Sequence, residues 1–401
     1  MDRLFPWSVY EIRAEEASRT QPSIGVLHSF YRSSQPSGEN STVMQQVSLL
    51  AEAGYRVSLA SLSSDDMETS RLKRLAAGLG LAIDEPTAKP PPNFLSNIDV
   101  LHVHNTFPRI SMRWLIQNSK PFVMSVHNYR AFCANGLFLR QGHRCLDCVH
   151  HGIRHAVTHG CYQDSRLKTL PVAAHQRGRW TLLKALDASS RVVVPGEPMR
   201  LMLSRLGVKN TITLPNPIRD LPDAGGSRVR SDSWTIVSRL SPEKGVLDLM
   251  QIWPGDVRLS IIGDGPEREE IEKVVANRRL PVHFRGSLDN NVAKQVIQQS
   301  IGLVFSSKAL EGSPSVYGEA MAAGTPIAAS EGSMLTEQVI LDGTGSVFDL
   351  ASASSLRNAL HHVSDNRQNL SNACRDIYTS RYRPSVWTKQ VSDLYQSIMS
   401  H

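Results

Sequence analysis

Short apolar, β-branched runs alternate with amphipathic stretches along most of the chain. SIGVLHS (23–29), YRVSLASL (55–62), DVLHVH (99–104) and PFVMSVH (121–127) are predicted strands, and STVMQQVSLLAEAG (41–54) is a predicted helix closed by Gly54. RVVVPG, a helix over 197–206 and the strand ITLPNP complete this first series within 190–222. The stretch DAGGSRVRSDS (223–233) is polar, rich in Gly and Ser and without apolar period, and it reads as a linker. The alternation then restarts with WTIVSR, a helix from about 245, VRLSIIG, PEREEIEKVVANRR (266–279), PVHFRG, a helix over 289–299, IGLVFS, EAMAAG and TPIAAS. Apolar runs separated by helices call for parallel sheets covered on both faces. The expected fold class is α/β, with two doubly wound, Rossmann-like domains facing an interdomain cleft, because ligands of such sheets sit outside the carboxyl ends of the strands. The domains are read as a leader (1–22), an N-terminal domain (23–222), the linker, a C-terminal domain (234–383) and a terminal helix (384–401).

Composition removes several alternatives. With 41% hydrophobic and 20% charged residues in 401, the chain is neither disordered nor fibrous. Five cysteines are too few for a disulfide scaffold, no apolar run is long enough to span a membrane, and the start lacks a signal-peptide layout. A cytoplasmic protein with reduced thiols is expected. Between His127 and Trp180 there are eight Arg or Lys against two Asp, a local excess of six out of the net charge of +7. So concentrated a patch points to an anionic partner.

Four segments carry candidate chemistry. LEGSPSVYGEAMAAGTP (310–326) holds Glu311 and Glu319. On one helix they would be about 12 Å apart, too far for a hydrolase carboxylate pair, and Gly312, Pro314 and Gly318 break a helix beginning at Glu311. Glu311 is therefore expected on a loop after a strand and Glu319 near the start of the next helix, where loop N–H groups meet an anion. SRLSPEKG (238–245) offers Arg239 and Lys244 at a strand end, a guanidinium and an ammonium suited to a diphosphate. IIGDGPE (261–267) resembles a phosphate turn, and QPSGENS (35–41) is a Gly-containing loop between the first strand and helix. Taken singly, each also fits an ordinary surface segment.

Taken together and in this order, the segments resemble GT-B glycosyltransferases of family 4. Glu311 and Glu319 match the family's E-x7-E, Arg239 and Lys244 its R-x4-K, and the GDGP turn, the tail from Glu319 to Pro326 and the PNP from Pro215 to Pro217 also match. The resemblance covers about residues 23–400 and implies a retaining transfer from a nucleotide-diphosphate sugar, of UDP or GDP type, to a glycan or a polyprenyl-pyrophosphate-linked acceptor, as in bacterial surface or exopolysaccharide synthesis. It implies that Arg239 and Lys244 neutralise the diphosphate and that Glu319 accepts from the ribose hydroxyls. Glu311 would contact the transferred sugar, and His127 would lie near the donor sugar and the acceptor hydroxyl. Gly38, Gly263, Gly265, Gly312 and Ser313 would bring backbone to the donor. No Asp-x-Asp occurs, and with two cations available for the diphosphate no catalytic metal is expected. The segment between the two glutamates, Ser313 to Gly318, is more polar than the family's usual aliphatic filling, which leaves the donor sugar open.

The basic insert (128–180) contains Cys133, Cys145, Cys148 and Cys161, spaced C-x11-C-x2-C-x12-C. Reduced thiols so clustered could form a tetrahedral structural zinc site, although only one half is a C-x2-C and buried free thiols are an equal reading. His143, His150, His151, His155 and His159 could replace a thiol, while Cys374 reads as core. The basic charge would face an anionic lipid or a pyrophosphate-linked glycan, giving peripheral contact with the inner face of a membrane. Two other functions compete: a nucleotide-sugar epimerase on the same fold, and a zinc-containing nucleic-acid-binding protein. The last lacks any aromatic-basic or recognition-helix signature and leaves residues 230–384 without a role, so no nucleic-acid partner is expected. Val386, Trp387, Val391, Leu394, Tyr395 and Ile398 form a helical stripe, which the resemblance directs back onto the N-terminal domain.

Overall fold

The structure is a computed structural model that describes residues 7–12, 21–33, 37–67, 78–79, 81, 90–108, 110, 112–177, 179–221 and 231–400. Of the predicted linker, only 231–233 lie among them. The chain divides into two compact units. The first comprises Met1–Phe138, Cys145–Pro217 and Trp387–His401, and the second Leu139–Arg144 and Ile218–Val386.

In the first unit, β1 (Ser8–Ile12), β2 (Ile24–Phe30), β3 (Val57–Ser63), β4 (Val100–Val103), β5 (Phe122–Ser125), β8 (Arg191–Val194) and β9 (Thr211–Thr213) form one sheet in the order β1-β3-β2-β4-β5-β8-β9. All pairs are parallel except β1 with β3. Strands β2, β4 and β5 are buried almost throughout, the signature of a sheet covered on both faces. The strand β1 was not anticipated within the leader. Its residues are exposed apart from a half-buried Ile12, so an edge strand of this kind carries no alternating apolar signal. The first helix, Gly38–Glu52, begins three residues before its predicted start: Ser37 is its N-cap, and the Ser37 hydroxyl accepts from the Asn40 N–H at 3.3 Å. Gly38 therefore opens the helix instead of lying in a loop.

The helix Pro384–Met399 belongs to this unit's core, where Trp387, Val391, Leu394, Tyr395 and Ile398 pack with Ile24, Val26, Leu50 and Tyr55. The Tyr395 hydroxyl is 2.7 Å from His102 Nδ1.

Within the insert the chain forms a small antiparallel hairpin, β6 (Leu139–Arg140) with β7 (His143–Arg144). Short helices Asp147–His150 and Arg154–His159 and a longer one, Arg166–Arg177, follow.

In the second unit, β10 (Trp234–Val237), β11 (Leu259–Ile262), β12 (Val282–Gly286), β13 (Leu303–Phe305), β14 (Ile327–Ser330) and β15 (Gly345–Phe348) form an all-parallel sheet in the order β12-β11-β10-β13-β14-β15. The order reverses between β10 and β13, the switch point of a doubly wound sheet, where loops leave in opposite directions and open a crevice. One apolar cluster, including Trp234, Ile261 and Phe348, covers one region of the sheet, and a second, including Tyr317, Met321 and Ile327, another. The helix Ser315–Ala323 runs straight through Gly318, which the sequence had marked as a breaker. A Cβ at Gly318 would come 2.8 Å from Ile218 Cγ1, so glycine serves close packing at that point.

Candidate active site

The second unit gathers its candidate residues at the switch point. Arg239 lies two residues past β10, exposed, with no ion pair among the described residues. Lys244 ends the 3-10 turn Pro242–Lys244, and the Ser306 hydroxyl donates to its backbone carbonyl at 2.8 Å. The loop after β10 is thus tied to the loop after β13. The Lys244 ammonium donates to Glu311 Oε1 at 2.9 Å, and the Ser307 hydroxyl donates to the same oxygen at 2.5 Å. Two donors on Oε1 fix the Glu311 carboxylate and leave Oε2 without a partner among the described residues, ready to accept from a hydroxyl.

Glu311 is on a loop, as its spacing implied. Glu319 lies in the middle of the helix Ser315–Ala323 and not near its start, because the helix begins at Ser315, directly after Pro314. Glu319 is buried, and burial pushes its carboxyl above the usual carboxylate range, with Lys294 acting weakly in the other direction. Gly312 and Ser313 are half-buried in the loop between the two glutamates.

The glycines of the GDGP turn have a packing role. Gly263 has φ +132, and a Cβ there would be 1.9 Å from the Ser238 carbonyl oxygen; at Gly265 it would be 2.2 Å from that of Leu240. Both contacts are with the segment that carries Arg239. Gly263→Ala is expected to destabilise by about 1–3 kcal/mol and to raise the KM for the donor. Thermal unfolding and donor titration test this, and unchanged values for both would refute the contact.

In the first unit the corresponding reversal lies between β2 and β4, and it assembles four imidazoles of which the sequence reading singled out only His127. His127 follows β5 by two residues, and its Nε2 is 3.1 Å from His104 Nδ1, with the rings stacked at 5.4 Å. His104 stacks in turn on His102 at 4.4 Å, and His102 Nε2 is 2.8 Å from the Ser125 hydroxyl. His28 approaches Asn40 Oδ1 at 3.1 Å. Burial pushes all four imidazoles down, His127 to about 4 and His102 to about 3, so each is neutral at pH 7. The signal for this cluster was H-V-H at 102–104: alternate residues of a strand share a face, and the second histidine stands at the strand's carboxyl end.

His104, His127, Glu39, Asn128 and Arg130 line a cavity of about 90 Å³. Tyr31 OH donates to Glu39 Oε2 at 3.2 Å, and burial holds the Glu39 carboxyl above its usual range. The Arg130 guanidinium lies over the Phe107 ring at 4.6 Å.

A lowered imidazole pKa has a consequence for stability. Between pH 6.5 and about 4, the unfolded chain takes up a proton at His127 that the folded chain refuses, so stability falls as pH falls through this window. His28, His102 and His104 act in the same direction, while the raised carboxyls of Glu39 and Glu319 act against it near their own pKa. The unfolding temperature is therefore expected to drop between pH 7 and pH 5. Calorimetry that found it level or rising would contradict neutral buried histidines.

None of the five cysteines is in a disulfide. Burial first, then the neighbouring Cys133, Cys161 and Cys145, push the Cys148 thiol up to about 12. Among the described residues, one set of metal-binding side chains already has three ligand atoms within 4.8 Å of one another: Asp147, His155 and His159. No three of the four insert sulfurs form so tight a group.

Comparison with known proteins follows the two units. Residues 36–220 match the family model Glycosyltransferase Family 4, and residues 222–379 match Glycosyl transferases group 1. The chain is a GT-B glycosyltransferase. The glycosyltransferase is similar in fold to a sucrose-phosphate synthase from Thermosynechococcus elongatus, with TM-score 0.66 and 17% identity over 95% of this chain and 100% of that one. It is similar to Anabaena Alr3699/HepE in complex with UDP, with TM-score 0.58 and 16% identity over 94% and 100%. It is also similar to the lipopolysaccharide outer core galactosyltransferase WaaB, with TM-score 0.56 and 14% identity over 94% and 99%. No curated protein sequence matches the glycosyltransferase significantly. Among its described residues, no helix is long and apolar enough to cross a membrane.

Proposed function

We propose that this glycosyltransferase moves a sugar, with retention of configuration, from a UDP-sugar to a glycan or a lipid-linked, pyrophosphate-bearing acceptor. The observation that carries the reading is the strand-end pair of Lys244, held at 2.9 Å by Glu311, with the exposed Arg239 beside it on the same loop. A guanidinium and an ammonium at the switch point match the two charges of a diphosphate, and their attraction grows as charge develops on the leaving phosphate. Glu311 Oε2 would accept from a hydroxyl of the transferred sugar, and Glu319 from the ribose. Two cations serve the leaving group, so no catalytic metal is proposed. UDP is favoured over GDP by the UDP complex of HepE.

The first unit would take the acceptor. A neutral His127 can donate or accept one hydrogen bond to a hydroxyl without adding a positive charge. The acceptor's proton would pass to the leaving phosphate as the new glycosidic bond forms on the face the nucleotide leaves. Peripheral contact with an anionic, cytoplasmic membrane face is supported by the helix Arg166–Arg177, whose exposed surface combines Arg166 and Lys168 with Leu167, 80% exposed, and Leu170, 50% exposed.

The test is incubation of a UDP-sugar carrying a radiolabelled sugar with polyprenyl-pyrophosphate-linked glycans. Label in the lipid fraction, joined with the donor's anomeric configuration by NMR, is expected. Label recovered only as free sugar, as an inverted product or as an epimerised nucleotide sugar would overturn the reading, the last in favour of an epimerase.

A further inference from the structure

We propose that the insert of the first unit binds a zinc ion through the thiolates of Cys133, Cys145, Cys148 and Cys161. The chain's local geometry gives the first argument. The hairpin β6–β7 runs directly into Cys145, whose N–H donates to the Phe138 carbonyl at 2.8 Å, and Cys148 lies in the helix Asp147–His150. A C-x2-C placed between a hairpin and a helix start has the spacing of half a zinc site. Cys133 and Cys161 complete the set from the segments before and after. Cys133 N–H donates to the Tyr129 carbonyl at 2.9 Å, and Cys161 N–H to the Ala156 carbonyl at 3.0 Å. Cys148 and Cys161 pack against one apolar cluster that contains Ala134, the residue next to Cys133.

The second argument is what holds the insert together. Among the described residues, Leu81, Ala134, Ala156 and Val172 form a satellite cluster against which Cys148 and Cys161 pack, together with Phe107, Ile153 and Tyr162. Two of the four cysteines thus share one small cluster with Ala134, the neighbour of Cys133 in sequence, and a metal staple there would add to what so small a cluster supplies. The cysteines form no disulfide, and zinc would staple them without an oxidant.

A competing ligand set, Asp147, His155 and His159, has its ligand atoms within 4.8 Å, but it is half-buried to exposed. Binding by the four thiols requires them to contract around the ion. Each gives up its proton to solvent as its bond to zinc forms, and no electron transfer is involved.

The experiment loads the full chain with zinc or cobalt alone. Expected results are about one zinc per chain by elemental analysis, and a thiolate-to-cobalt charge-transfer band with the strong visible bands of a tetrahedral site. Zinc should also protect four thiols of the wild-type chain from a thiol reagent, and a chelator should release them. His155→Ala/His159→Ala should keep both metal and band, whereas Cys145→Ser/Cys148→Ser should lose them. A chain without zinc, a cobalt spectrum without sulfur charge transfer, or thiols equally reactive with and without zinc would each overturn the proposal. The wild-type measurements decide the matter even where the serine variant fails to fold.

Discussion

Replacing Arg239 and Lys244 together by Ala lowers kcat/KM for the nucleotide-sugar donor by about 10²–10⁴-fold, since each charge-assisted hydrogen bond contributes about 1.5–3 kcal/mol and 1.4 kcal/mol is tenfold. Arg239 is exposed and without an ion pair among the described residues, so its loss costs the fold little. Lys244 differs: its ammonium and the Ser307 hydroxyl share Glu311 Oε1, and without it the carboxylate keeps one donor and loses its charge partner. Lys244→Ala should therefore lower kcat as well as raise KM, because Glu311 is no longer fixed, whereas Arg239→Ala should act mainly through the diphosphate. Steady-state kinetics on the two single variants separates these effects. A double variant within tenfold of wild type would remove both cations from the reaction.

The second large effect concerns folding. Trp387→Ala is expected to destabilise the first unit by about 3–5 kcal/mol, the usual cost of emptying a buried aromatic site. The side chain is 1% exposed and sits in the same apolar cluster as Ile24, Val26 and Tyr55, although nearly the whole second unit separates it from them in sequence. Trp387→Phe should cost much less, because the Trp387 indole N–H has no hydrogen-bond partner among the described residues. Hydrogen exchange locates the loss: amides of β2, β3 and β4 should become less protected while those of β10, β11 and β13 stay as they were. Equal loss in both units, or loss confined to the second, would contradict the packing of the terminal helix.

The sheets were legible because their strands are short apolar runs whose period is independent of the rest of the chain. The exposed β1 gave no such signal, and Gly38 and Gly318 misled for a shared reason. Glycine is a turn residue by propensity, but one opens a helix behind the Ser37 cap and the other lets a helix approach Ile218. In the second unit the site was readable as a linear motif, since Arg239, Lys244, Glu311 and Glu319 fall in short segments at strand ends. Glu319's position within its helix was not readable, because it depends on where Pro314 starts that helix. Of the histidine cluster, the resemblance pointed to His127 and the H-V-H at 102–104 was visible within one strand, but their meeting was not legible from separate strands. His28, His102, His104 and His127 come from β2, from β4 and its end, and from the end of β5, and only the strand order makes them neighbours.

The most direct test of the account is the thermal shift of the wild-type chain and of Arg239→Ala/Lys244→Ala with UDP, GDP and ADP. A ligand at 100 times its dissociation constant stabilises by about 2.7 kcal/mol, a readily measured rise in the unfolding temperature. The account predicts a rise with UDP in wild type that disappears in the double variant. No rise with any nucleotide, or an equal rise in both proteins, would contradict it.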